Sequence, residues 1–157
     1  MGLSTRYDLS QAPARYLSPM PEATTSLDMD AVRIFLHLLG VCGWVGGQIV
    51  MMALVPILRK VSTDAPRLAA ARFGQVAWAC FGLAVVTGVW GLAAVDLADK
   101  PSGYHVTLLV KLLLVGISGA AAGIHGTTNS VPVRGATGAV GGFAALGALL
   151  AGAVLGA

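Results

Sequence analysis

Four apolar runs, over about residues 34–58, 73–95, 104–124 and 136–155, decide what this chain can fold into. Each has about 20 residues or more, the length a helix needs to cross roughly 30 Å of hydrocarbon. Inside a bilayer every backbone N–H and C=O must find its partner within the protein, which leaves helices or a closed barrel. The runs lack two-residue alternation and are dominated by Leu, Ala and Gly, so they predict helices. Soluble domains carry about 25% charged residues, whereas 11% of these 157 residues are charged and 56% are hydrophobic. A water-facing surface cannot be built from that supply. The expected fold class is all-α: a polytopic membrane protein whose residues 31–157 form one four-helix transmembrane bundle.

Residues 1–30 are of another kind. They are polar, include Pro13, Pro19 and Pro21, and contain no apolar core of the sort a signal peptide needs. They predict a largely irregular N-terminal tail leading into the first helix. Asp28 or Asp30 is placed to cap that helix, because a short carboxylate accepts from the free N–H groups of a first turn.

The formal charge of +3 is spread without a basic run, so a lipid bilayer rather than nucleic acid is the expected partner. Arg59, Lys60, Arg67 and Arg72 fall around the first connection and Arg134 around the third; Arg33 and Lys100 fall on the other side. Arg6 and Arg15 in the tail narrow the difference. The excess of cations in short cytoplasmic loops places the first and third connections in the cytoplasm and both termini outside it. The Gly- and Ala-rich composition suits a bacterial cytoplasmic membrane. Cys42 and Cys80 lie inside spans without metal-type spacing and read as small packing residues.

Within the spans the polar residues converge. Lys111 sits in the run GYHVTLLVKLLLVGISG, where an ammonium ion costs about 2.5–3.5 kcal/mol even on lenient insertion scales. The first and third helices begin on the same side, so His37, Tyr104, His105 and Lys111 share one end of the bundle with Asp96 and Asp99. Steps of four, seven, eleven and fourteen from His37 reach Val41, Trp44, Gln48 and Met51, one expected stripe of helix one. Tyr104, Thr107, Lys111 and Ser118 form a similar stripe on helix three. Turning the two stripes towards each other, or towards a shared wet pocket, shields them from lipid. The plainer alternative for Lys111 is snorkelling, its stem in hydrocarbon and its ammonium at the interface. His37 is then a satisfied interfacial histidine and Trp44 a packing residue; His125 reads as structural. Gly119 with Gly123, and Gly138 with Gly142, make GxxxG pairs that suit close helix approach.

The segment HLLGVCGWVGGQIVMMALVPILRK resembles the first helix of the copper-resistance protein D (CopD) domain, with its histidine, Trp-x-Gly-Gly turn and basic end. RFGQVAWACFGLAVVTGVWGL is similar to that family's second helix, where a Thr-Gly pair falls late in the run. GYHVTLLVKLLLV is similar to its third, with a lysine inside the span. The layout also resembles the HemJ-type protoporphyrinogen oxidases, four-span proteins linked to haem that rely on a histidine in helix one and a lysine in helix three. His37 and Lys111 stand at those positions. The resemblance implies haem or copper as cofactor and His37 and Lys111 as binding residues; the residues at that end of the bundle add His105 as a further ligand for haem iron or copper and Tyr104 as a wall of the same pocket.

Two classes of function follow. One is a non-catalytic accessory subunit packing against other membrane protein subunits in a larger assembly, with respiratory assemblies the first place to look; helix four, over about residues 136–155, has no ionisable side chain and suits a docking face. The other is a CopD-like haem or copper binding or transport protein, or a HemJ-type oxidase using His37 and Lys111.

Overall fold

The computed structural model describes residues 28–156. The expected tail therefore lies outside the described residues except for its last three positions. Four helices follow in order: α1 (Met29–Val61), α2 (Ala65–Ala93), α3 (Ser102–Thr127) and α4 (Val131–Gly156). All four are long and apolar enough to cross a membrane, and no strand occurs among the described residues. This is the architecture of a multi-pass membrane protein.

Local chemistry sets the helix ends. Asp28 is the cap of α1, its Oδ1 accepting from the Ala31 N–H at 2.7 Å, while Asp30 pairs with Arg33 at 3.1 Å. The first helix thus starts two residues inside the segment expected to be tail. Ser62 Oγ accepts from the Ala65 N–H at 3.0 Å, and Pro66 opens α2, where the missing N–H is no loss. Only residues 62–64 separate α1 from α2, and only 128–130 separate α3 from α4. Arg59 and Lys60 consequently lie in the last turn of α1, and Arg67, Arg72 and Arg134 lie on helices rather than in loops. They still gather at one end of the bundle. The other end, where α1 and α3 begin, is called the N-terminal end below.

The bundle is two antiparallel hairpins, α1 with α2 and α3 with α4, that approach each other closely only around the middle of α1. Gly40 brings α1 and α2 together: a methyl group there would lie 2.7 Å from the Cys80 carbonyl oxygen and from the Ala84 nitrogen. Farther along, Gly43 receives the Cys80 thiol and Gly47 receives the Phe73 ring. Cys80 is thus a packing residue, whereas Cys42 is exposed; both are free thiols. In the second hairpin, Ser118, Gly119 and Ala121 of α3 and Gly141, Ala144, Ala145, Ala148 and Ala151 of α4 are buried.

The GxxxG pairs behave differently from expectation. A methyl group on Gly119 would meet the Phe81 ring at 2.7 Å, but one on Gly123 would meet nothing within 4 Å. Gly138 faces His125, and Gly142 faces only the Gln48 side chain at 3.8 Å. Close backbone approach is instead made by Gly40, and by Gly141, whose added methyl would lie 3.6 Å from the Ser118 carbonyl oxygen.

A π-helical turn at Cys42–Gly46 interrupts α1. It sits among Gly43, Gly46 and Gly47 and inserts one residue into the helical repeat, so everything beyond it is rotated by about one residue's worth of turn. His37 faces α2, Trp44 reaches α2 and α3, and Gln48, beyond the turn, faces α4. The expected stripe of His37, Val41, Trp44, Gln48 and Met51 is the less exposed side of α1, but it is spread over three partner helices rather than turned to one.

Candidate functional site

Trp44 and Val45, in the π-turn, are buried against Ala77 and Ala145, with Phe73 and Phe81 alongside. The Trp44 ring lies 4.5 Å from that of Phe81 and 5.6 Å from that of Trp78, centre to centre. Its indole N–H donates to Ser118 Oγ at 3.1 Å, and the Ser118 hydroxyl donates to the Gly141 carbonyl at 3.0 Å. This apolar-walled joint fixes the two hairpins and so sets where the polar groups at the N-terminal end fall.

There, His37 is wedged between α1 and α2. Its Nδ1 lies 2.9 Å from the Ala84 carbonyl oxygen and 3.1 Å from Thr87 Oγ1. A carbonyl can only accept, so Nδ1 carries the hydrogen; in the neutral ring Nε2 is left with a lone pair. Thr87 is 3% exposed and donates its own hydrogen to the Leu83 carbonyl at 2.6 Å. Gly88 makes room for the ring: a methyl group there would lie 3.3 Å from His37 Cε1.

Lys111 lies on the inward side of α3 with Tyr104, Thr107 and Ser118, all less exposed than their neighbours. Its stem does not simply run up its own helix. A methyl group on Gly152 of α4 would stand 3.2 Å from Lys111 Nζ and 3.5 Å from Cε. Among the described residues the ammonium has neither a hydrogen-bond partner nor a counter-ion. Arg33 rests on Gly91 of α2 and pairs with Asp30.

A pattern unites these contacts. Arg33, His37, Lys111 and His125 each lie over a glycine of the neighbouring helix, respectively Gly91, Gly88, Gly152 and Gly138. A missing Cβ lets a polar side chain lie along its neighbour's backbone instead of in lipid. Sequence reasoning missed these sockets. Only the Thr87–Gly88 pair carried a signal, and its partner was not evident from α2 alone.

His105 and Tyr104 are placed otherwise. His105 Nδ1 lies 3.1 Å from the Pro101 carbonyl oxygen and Nε2 lies 3.0 Å from that of Leu97. Both ring nitrogens thus face carbonyl oxygens of the connecting segment. Tyr104 is in edge contact with His105 and lies under Lys100, whose Nζ is 5.4 Å from the ring centre. Asp96 accepts from the Ala98 N–H at 3.0 Å, and neither Asp96 nor Asp99 pairs with Lys111.

The arrangement fits a haem only in part. His37 offers one lone pair on a ring oriented from behind by Ala84 and Thr87, as metal-bound imidazoles commonly are, and Lys111 offers a charge for a propionate. His105 is turned to the Pro101 and Leu97 carbonyls of the connecting segment. No three His, Cys, Asp or Glu side chains gather to hold a metal ion among the described residues. The chain matches no protein-family model, no curated protein and no solved structure.

Proposed function

We propose that this chain is a small, non-catalytic membrane protein that binds an anionic group at the N-terminal end of its bundle, between His37 and Lys111. The observation that carries this reading is the Lys111 ammonium, held over Gly152 without a counter-ion among the described residues. A cation left inside a membrane protein is by default a functional group. Arg33, nearby on α1, is paired with Asp30, so among the described residues the excess charge is that of Lys111. A carboxylate or phosphate borne by a membrane-embedded molecule meets that excess, and the resemblance of the His37 and Lys111 positions to those of haem-linked four-span proteins favours a porphyrin carboxylate. Titrating the nanodisc-reconstituted chain with haem and reading the Soret band tests this. Saturable binding that disappears in both Lys111→Met and His37→Ala supports the reading; equal spectra from wild type and Lys111→Met refute it.

A second reading is an accessory subunit of a larger membrane assembly, respiratory assemblies being the first to examine. Its support is that the two hairpins approach only around the middle of α1, leaving long apolar faces for other membrane subunits. Both termini outside the cytoplasm, in a bacterial cytoplasmic membrane, complete this proposal. Affinity purification from native membranes at low detergent tests it, and a chain that elutes alone argues against it.

A further inference from the structure

One buried polar group has no part in the anion site. Gln48 follows the π-turn of α1, and its carboxamide nitrogen is shut off from solvent with no hydrogen-bond partner among the described residues. In the hydrocarbon region no water is at hand to satisfy it, and an orphaned amide there is costly. Gln48 also lines a cleft of about 160 Å³ between α1 and α4. The remaining walls are apolar, including Val45, Ile49, Gly142, Phe143 and Leu146. Ile49 and Phe143 are exposed, Phe143 by 76%, so the cleft opens on the lipid-facing surface.

Volume and charge together select an occupant. An engineered apolar cavity of about 150 Å³ admits benzene, so this cleft takes one six-membered ring. A water molecule needs two to four polar partners, and the cleft offers one. An acyl chain would fill the space and leave the amide unpaired. The partial positive charge of the amide N–H₂ calls for an oxygen carried on the ring itself. The terminal torsion of Gln is broad, so rotating the carboxamide turns its nitrogen towards a guest without moving α1.

We infer that the cleft between α1 and α4 binds the ring of a membrane-soluble quinone, one ring carbonyl accepting from Gln48 Nε2 and the tail leaving into lipid between Ile49 and Phe143. The site is at the other half of the bundle from His37 and Lys111 and stands independently of them.

The test uses the full chain in nanodiscs, with ubiquinone-1 as probe and tryptophan quenching as readout. para-Xylene, a ring of similar size without an acceptor, competes against it, and empty nanodiscs correct for partitioning. Wild type is expected to bind ubiquinone-1 saturably and to prefer it clearly over para-xylene. Gln48→Leu should weaken ubiquinone-1 roughly five- to tenfold, the worth of one hydrogen bond, and abolish the preference. It removes an unpaired polar group, so thermal melting should show the fold intact or more stable. Gly142→Leu, which fills the cleft, should prevent binding altogether. Absence of saturable binding to wild type overturns the inference, as does unchanged affinity in Gln48→Leu. Equal affinity for para-xylene leaves only an apolar cleft and overturns it too. A wild-type dimer in native mass spectrometry that Gln48→Leu dissolves would mean that the amide faces a second copy, and the quinone assignment would fall.

Discussion

The indole N–H of Trp44 donates to Ser118 Oγ at 3.1 Å, where the two helical hairpins approach each other around the middle of α1. Both residues are enclosed, Trp44 being 7% and Ser118 1% exposed, and Ser118 carries the connection on to the Gly141 carbonyl. Interhelical hydrogen bonds in membranes average about 0.6 kcal/mol and reach about 1.7. Ser118→Ala should therefore lower stability by about 1 kcal/mol, since it breaks two bonds and leaves the indole N–H unpaired. Trp44→Phe should cost more, because it also removes ring area packed against Phe81 and Trp78. Unfolding titrations of both single variants and the double give the coupling energy. A coupling near zero would mean that the bond does not join the hairpins.

The glycine contacts rank the helix seams. Gly40 faces backbone atoms of α2 that cannot swing aside, at 2.7 Å from an added methyl. Even Gly40→Ala should force α1 and α2 apart and cost about 1–3 kcal/mol, the range for an overfilled core. Gly123→Leu, by contrast, adds a side chain where nothing lies within 4 Å, and its melting temperature should match wild type. The opposite order would show that α3 packs against something through Gly123, an outcome that cross-linking in native membranes would identify.

These two glycines also show what was legible in the sequence. Helix number and approximate span follow from composition, because bilayer thickness sets a minimum apolar length that no soluble element needs. The inward placement of Tyr104, Thr107, Lys111 and Ser118 was legible because α3 keeps one uninterrupted helical phase. The inward side of α1 was legible too, but which helix each of its residues meets was not, because the π-turn at Cys42–Gly46 adds a residue to the repeat. GxxxG spacing pointed to Gly119 and Gly123, while the closest approach used Gly40. Spacing within one helix says which residues share a face but not which face meets a partner. The sockets under Arg33, His37 and Lys111 are relations between helices, and apart from the Thr87–Gly88 pair they left no mark on either one alone.

His105 makes a prediction about the connection between α2 and α3. Its two ring nitrogens hold the Leu97 and Pro101 carbonyls, and the rest of the segment is tied mainly by short turns such as Lys100 N–H to Leu97 C=O at 3.2 Å. His105→Ala should release the segment. Backbone amides between 95 and 101 are expected to exchange with deuterium severalfold faster, while those in the middle of α3 do not change. Equal exchange in both proteins would place the segment under the control of its own turns.

Charge placement predicts the orientation. Arg59, Lys60, Arg67, Arg72 and Arg134 gather at one end of the bundle, and the short connections there fall within the reach of the positive-inside rule. A reporter active only in the cytoplasm should be active when inserted near Asp64 and silent at the C-terminus. The reverse result would turn the anion site to the cytoplasm while leaving its geometry as described.

The sharpest prediction concerns Gly152, which has no chemistry of its own. Lys111 reaches across from α3 and lays its ammonium over this glycine, with Nζ 3.2 Å from where a methyl group would be. A larger side chain at 152 must displace the ammonium, whereas a Lys111 that merely seeks the interface along its own helix is indifferent to residue 152. Gly152→Leu should thus reproduce the binding defect of Lys111→Met, although it leaves every ionisable group in place. Gly156→Leu, one turn farther along α4 where nothing lies within 4 Å, serves as the control. Lys111→Arg keeps the charge but carries a wider, planar head, which the Gly152 socket does not fit, so it should restore binding only in part. The measurement is haem titration of nanodisc-held protein at matched melting temperatures. Full binding by Gly152→Leu would detach the lysine from α4 and return it to the role of a snorkelling residue.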